Sequence, residues 1–236
     1  MTGSRPGPRG VLLVHGAWFT GGVWSGVAGR LRGLGVPVAV AELHRGSLAA
    51  DIAAASQALA EIADRGPAVV CGHSYGGTVI TGLHPSKVDH LVYVAALMPD
   101  VGEISMDLLS GYPSELAAGI VGGPDGTTTI DPAQAGELFF AQLSEHQRAV
   151  QVAALVPQAM AAGHDPTTSA AWHTRPSTYV VCADDRVVSP DLQRLLSRRA
   201  THTTTWDSDH VAAASHETET VDLLYGLAQN LSQGLH

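Results

Sequence analysis

The chain runs to 236 residues, 45% of them hydrophobic and 15% charged, which fits one soluble domain with a full core. A net charge of −9, from 22 acidic and 13 basic residues, excludes a nucleic-acid or anionic-membrane surface as the working face. No apolar run nears the roughly 20 residues of a membrane span, and residues 1–10 are polar, without the apolar core of a signal peptide, so a cytoplasmic protein is expected.

Strand patterns fall near residues 10–15, 36–41, 67–72, 90–96, 177–183 and 201–206, with helical periodicity over 23–33, 47–64 and 74–83. Ser47 is placed to cap the second helix, and Asp51 to complement its dipole. Near-continuous apolar strands alternating with helices imply a parallel sheet covered on both faces. Only about ten residues precede the first strand, too few for an antiparallel opening pair. The expected fold class is α/β, with a six-stranded, mainly parallel sheet.

The first strand ends in His15-Gly16-Ala17-Trp18, and the third runs into Gly72-His73-Ser74-Tyr75-Gly76-Gly77. Gly-x-Ser-x-Gly between a strand and a helix is the pattern of a nucleophile elbow, a turn so tight that the flanking positions must lack bulk. Ser74 is therefore the expected nucleophile. It needs a base, an acid to orient the base, and donors for an oxyanion. The donors expected are the backbone amides of Ala17, after the first strand, and Tyr75, after the nucleophile. His15, at a strand end, is read as holding its loop, and His73 as a packing residue that points away from Ser74. Past the strand near 177–183 come Asp184 and Asp185. Strand alternation and the spacing to Pro190 favour Asp185 as the acid, with Asp184 a turn residue and Asp100 a distant third. His210, in the polar loop after the last strand, closes the order Ser, Asp, His and is the expected base, with His216 the runner-up. The chain has 12 histidines, but no pair shows persuasive ligand spacing, so neither metal nor cofactor is expected.

These motifs, with Met98-Pro99-Asp100-Val101-Gly102-Glu103 and the stretch 182–190, resemble the α/β-hydrolase superfamily. Within it the chain is similar to the subgroup of plant methylesterases, hydroxynitrile lyases and related bacterial esterases. The resemblance implies a core of residues 1–97 and 173–236, with 98–172 inserted as a lid. That insertion shows no strand signal, and one amphipathic run covers 132–162. The apolar candidates for the pocket are Trp18, Met98, Leu108, Leu109, Tyr112, Phe139, Phe140, Leu155 and Met160. The family topology also places one strand between those of Cys71 and Cys182. About 9.6 Å then separates them, too far for a disulfide, and two buried free thiols are expected.

The implied activity is that of a serine hydrolase on small to medium carboxylic esters, with a small-molecule ester as its partner. The same triad could serve a carbon–carbon lyase, and the scaffold could serve a ligand receptor. Hydroxynitrile lyases of this subgroup have a lysine just after the catalytic histidine and a threonine near the oxyanion loop. Here Val211 follows His210, Leu13 and Val14 precede His15, and Lys87 is the only lysine. The methylesterase side fits better.

Overall fold

The computed structural model describes residues 8–44, 46–62, 66–123 and 126–230, apart from the side chains of Met160 and Asn230. Its first half alternates β1 (Val11–Val14), α1 (Ser25–Gly33), β2 (Val38–Ala41), α2 (Leu48–Ala60), β3 (Ala68–His73), α3 (Tyr75–Thr81) and β4 (Val88–Val94). An insertion follows, made of α4 (Ser105–Ser110), α5 (Leu116–Gly119), β5 (Ile120–Gly122), β6 (Thr127–Ile130), α6 (Pro132–Phe139), α7 (Glu145–Ala153) and β7 (Gln158–Ala159). The chain then returns through β8 (Ser177–Cys182), α8 (Pro190–Ser197), β9 (His202–Trp206), α9 (Ala212–Ser215) and α10 (Glu217–Asn230).

The main sheet has six strands in the order β2-β1-β3-β4-β8-β9, and every pairing in it is parallel. This is the expected α/β architecture. The inner strands β1, β3 and β8 are buried along their whole length, as helices on both faces require. The edge strand β9 is largely exposed and reads His-Thr-Thr-Thr-Trp, a polar edge that resists pairing with another chain. Cys71 and Cys182 are buried free thiols, on strands that β4 separates.

Two expectations change. The insertion does contain strands: β5, β6 and β7 form a separate three-stranded antiparallel sheet. At two to four residues each, they are too short for a two-residue alternation to register. The single amphipathic run over 132–162 divides into two helices. Asp131 caps α6, with Pro132 opening it, and a capping box of Ser144 and Gln147 starts α7. Ser47 caps α2 and Asp51 stands in its first turn, as expected; Asp51 is fully buried and also accepts a hydrogen bond from Tyr75 Oη at 2.9 Å.

Backbone packs tightly where β3 turns into α3. A methyl group on Gly72 would stand 2.6 Å from the Gly76 carbonyl oxygen, and one on Gly76 would stand 2.6 Å from the carbonyl oxygens of Val14 and His15. These neighbours are backbone and cannot swing aside, so the turn and the end of β1 are pressed together at glycine density. Gly76→Ala should therefore destabilise the protein by about 3 kcal/mol. Urea denaturation would measure it, and a loss below about 1 kcal/mol would show that the turn yields.

Candidate active site

Ser74 sits between β3 and α3 with φ 54° and ψ −124°. A non-glycine residue held there stores roughly 1–3 kcal/mol of strain. Its backbone is pinned from three sides: Ser74 N donates to Val94 O, while the amides of Gly77 and Leu97 donate to Ser74 O. The turn sets the serine on the wall of a cavity of about 50 Å³ at the sheet's carboxyl edge, together with Ala17 and Tyr75. Ala17 N–H has no hydrogen-bond partner among the described residues. Tyr75 N–H is the first amide of α3, one of the donors a helix leaves unpaired.

His210 and Asp185 meet in the buried layer beside this turn. His210 Nδ1 lies 2.8 Å from Asp185 Oδ2. An ionised carboxylate can only accept, so Nδ1 carries the proton and Nε2 keeps its lone pair. That Nε2 is buried and without a partner among the described residues. Asp185 is saturated: Oδ1 accepts from Val187 N at 2.7 Å and Val188 N at 3.1 Å, and Oδ2 also accepts from Gln193 Nε2 at 2.7 Å. Gln193 cannot flip, because its Oε1 accepts from Cys182 N at 2.9 Å while Nε2 also reaches Val188 O. The other acid candidates lie elsewhere. Asp184 is exposed and accepts from Gln142 Nε2, while Asp100 pairs with His173 at the surface. His216 stacks on Trp206 and is only half-buried.

His15 and His73 hold the surrounding loops. His15 Nδ1 donates to Gly16 O, and Nε2 accepts from Leu43 N, the loop-holding role expected. His73 is buried and packs against Phe19 and His210, as expected, and it also makes a bond the sequence did not suggest. Its Nε2 donates to His210 O at 2.9 Å, and the two rings lie 4.6 Å apart, so it ties the elbow to the loop carrying His210. Burial lowers the pKa of His15 to about 4 and that of His73 well below the ordinary value. Both are neutral near pH 7.

Of the pocket candidates, Trp18 and Leu109 line the cavity; Met98, Leu108, Tyr112, Phe139, Phe140 and Leu155 do not. The large rings went to the core instead. Phe139 and Phe140 are buried against Phe19, and Phe139 also packs on His210. Met98 is fully buried, and Leu108, Tyr112 and Leu155 pack partly buried on the core. The Met160 side chain lies outside the described residues. The actual walls come from Leu97, Met106, Leu116, Ile120, Val187 and Val188, with Ser105, Gly163 and Gln158. Ile120 and Gln158 stand on the short strands that periodicity could not register. Gln193 did leave a signal, as a glutamine on the inward face of α8 between Leu192 and Leu196. Among the described residues no group of three His, Cys, Asp or Glu is placed to hold a metal ion, and no helix is long and apolar enough to cross a membrane.

A model of the alpha/beta hydrolase family matches residues 11–223. The chain is similar to the probable hydrolase R7 of Phoma sp., at 29% identity over 200 residues covering 78% of this chain and 80% of that one. Among solved structures it resembles polyneuridine aldehyde esterase, with a TM-score of 0.80 and 17% identity over 93% of this chain and 99% of the other. It also resembles the methylesterase MES16 of Arabidopsis, with a TM-score of 0.77 and 19% identity over 94% and 99%. At such identities the two structural likenesses speak to the fold.

The buried histidines make stability depend on pH. His90, which bonds Thr178 Oγ1, is also lowered to about 4 by burial. For each of the three histidines the folded pKa lies below the unfolded one. The unfolded chain therefore binds more protons, and stability is lost as pH falls below about 6.5. Between pH 6.5 and 5, above the carboxylate range, the slope from each should rise from about 0.7 to about 1.2 kcal/mol per pH unit. Urea denaturation across that window should show the decline, and His90→Asn should make it shallower. An unchanged slope in that variant would refute the assignment for His90.

Proposed function

The chain belongs to the α/β-hydrolase family, and on that premise we propose that it is a serine esterase acting on small to medium carboxylic esters with an apolar acyl or alcohol part. The observation that carries this reading is the Asp185–His210 pair, whose buried Nε2 is left unpaired in the layer that packs on the strained Ser74 turn. Ser74 Oγ attacks the ester carbonyl while its proton passes to His210 Nε2. The carbonyl oxygen becomes an oxyanion and accepts from the amides of Ala17 and Tyr75. As the tetrahedral adduct collapses, His210 returns the proton to the departing alkoxide. Water then repeats the sequence on the acyl-enzyme, with His210 again as base. Asp185 stays ionised throughout, orients the imidazole and offsets its charge when Nε2 is protonated. The chemistry requires no metal or organic cofactor. The names of the relatives, a probable hydrolase and an esterase, agree with this reading.

Loss of the nucleophile should be near-total. Ser74→Ala should cut ester turnover by on the order of 10⁶ with the fold retained, and a reactive phosphonate should label Ser74 alone. Asp185→Asn should cost several orders of magnitude by freeing the wrong tautomer of His210, whereas Asp184→Asn should cost far less. Labelling at another serine, seen by peptide mass spectrometry, would reject the nucleophile; a reversed ranking of the aspartates would reject the acid.

The lyase reading finds no support beside His210, where Val211 is apolar and fully buried. Departing cyanide would find no cation there, and a missing electrostatic partner in a dry site is worth several kcal/mol. An alkoxide, by contrast, is protonated directly by His210. Hydrolysis of p-nitrophenyl butyrate with negligible cyanide release from mandelonitrile is the expected outcome. Efficient cyanide release would overturn it.

A further inference from the structure

We propose that Gln158 sets substrate choice, donating a hydrogen bond from its side-chain amide to a second acceptor oxygen of the substrate. The preferred class is then esters whose apolar chain carries an oxo group beyond the ester carbonyl. This deepens the esterase reading and rests on it. The argument begins with the direction of one amide. Gln158 lines the same cavity as Ser74 and is only 4% exposed. Its Oε1 lies 2.8 Å from Trp18 N. A backbone N–H can only donate, so the oxygen must face Trp18 and the Nε2 group must point the other way. The Gln158 backbone is fixed as well: β7 pairs with β6, and Thr128 Oγ1 donates to Gln158 O at 3.2 Å.

The hydrogen bonds of Gln158 to described residues go through Oε1 and the backbone, and none uses Nε2. The cavity lining is otherwise mostly apolar, including Met106, Leu109, Leu116 and Ile120. Ser105 is already tied to Thr78 Oγ1 at 2.7 Å. A nearly buried amide with two free N–H donors in such a pocket is unfavourable until an acceptor arrives. A site with such a donor discriminates against an analogue lacking the acceptor, because the donor is then left unpaired. A purely apolar pocket grades its substrates by size alone.

The test uses Ser74→Ala protein, so that binding is read without turnover. Methyl acetoacetate, methyl levulinate and methyl 5-oxohexanoate are titrated by NMR at pH 8 against methyl butanoate, pentanoate and hexanoate. At least one oxo ester should bind roughly tenfold tighter than its match, the ratio one neutral hydrogen bond supports. Adding Gln158→Glu, which keeps an acceptor for Trp18 N–H but loses the amide donor, should erase that preference. Equal binding within every pair would overturn the proposal without any variant at 158, as would a preference that survives Gln158→Glu. Phosphonate labelling of the unmodified protein reads the esterase chemistry separately. Oxo preference without labelling would keep the donor assignment and remove the esterase reading. Labelling without oxo preference would do the reverse.

Discussion

The backbone of Ser74 is the constraint on which the rest depends. A φ of 54° is costly for any residue with a side chain, and it persists because neighbouring strands over-determine it. The Val94 carbonyl and the Leu97 amide hold the turn from β4 and the segment after it. On the other side the end of β1 closes in: a methyl on Gly16 would stand 2.8 Å from Ser74 Cβ. The same pressure that strains the serine brings the Ala17 loop against it. Strained turn and pair of backbone donors are thus two results of one close approach, and bulk at Gly72 or Gly76 would undo both.

Polar groups around this turn fall into two kinds. Asp185 has four hydrogen bonds, and its amide partner Gln193 is itself fixed by the backbone of β8. His15 uses both ring nitrogens. Saturated groups of this sort rigidify a core. Against them stand a few that are left open: His210 Nε2, the Ala17 amide and the Gln158 amide. Buried donors and acceptors without partners cost stability, and of these three the Ala17 and Gln158 groups belong to residues lining one small cavity with Ser74, while His210 Nε2 lies in the buried layer beside the elbow.

Legibility in the sequence followed the range of the interactions. The elbow is local, so six consecutive residues announced it, and long apolar strands made the parallel sheet readable. Asp185 and His210 could be singled out by chain order and loop position, because each stands just after a strand. The cavity walls resisted such reading. Phe139 and Phe140 were the conspicuous apolar residues, yet rings of that size stabilise most where they can be fully buried, and they joined Phe19 in the core. The walls fell to medium-sized residues such as Ile120 and Val188, drawn together from segments far apart in sequence. The hydrogen bond of His73 was illegible for a related reason. Its partner is the carbonyl of His210, 137 positions away, and no local pattern encodes that bond.

Trp18 ties the insertion tightly to the loop after β1. Its amide goes to Gln158 Oε1, its carbonyl accepts from Val156 N, and its indole Nε1 donates to Thr128 Oγ1. All three partners belong to the insertion, and Trp18 itself is held at φ 62°. Only a joint displacement of β6, β7 and Val156 would break all three bonds and free the adjacent Ala17 to move. Met106 and Leu109 of α4 also line the cavity, and the unbranched Met106 can change rotamer without disturbing the backbone. A cavity of about 50 Å³ therefore has its most adaptable wall at α4. At Gln158, shape and chemistry are fixed by the hydrogen bonds with Trp18 N and Thr128 Oγ1.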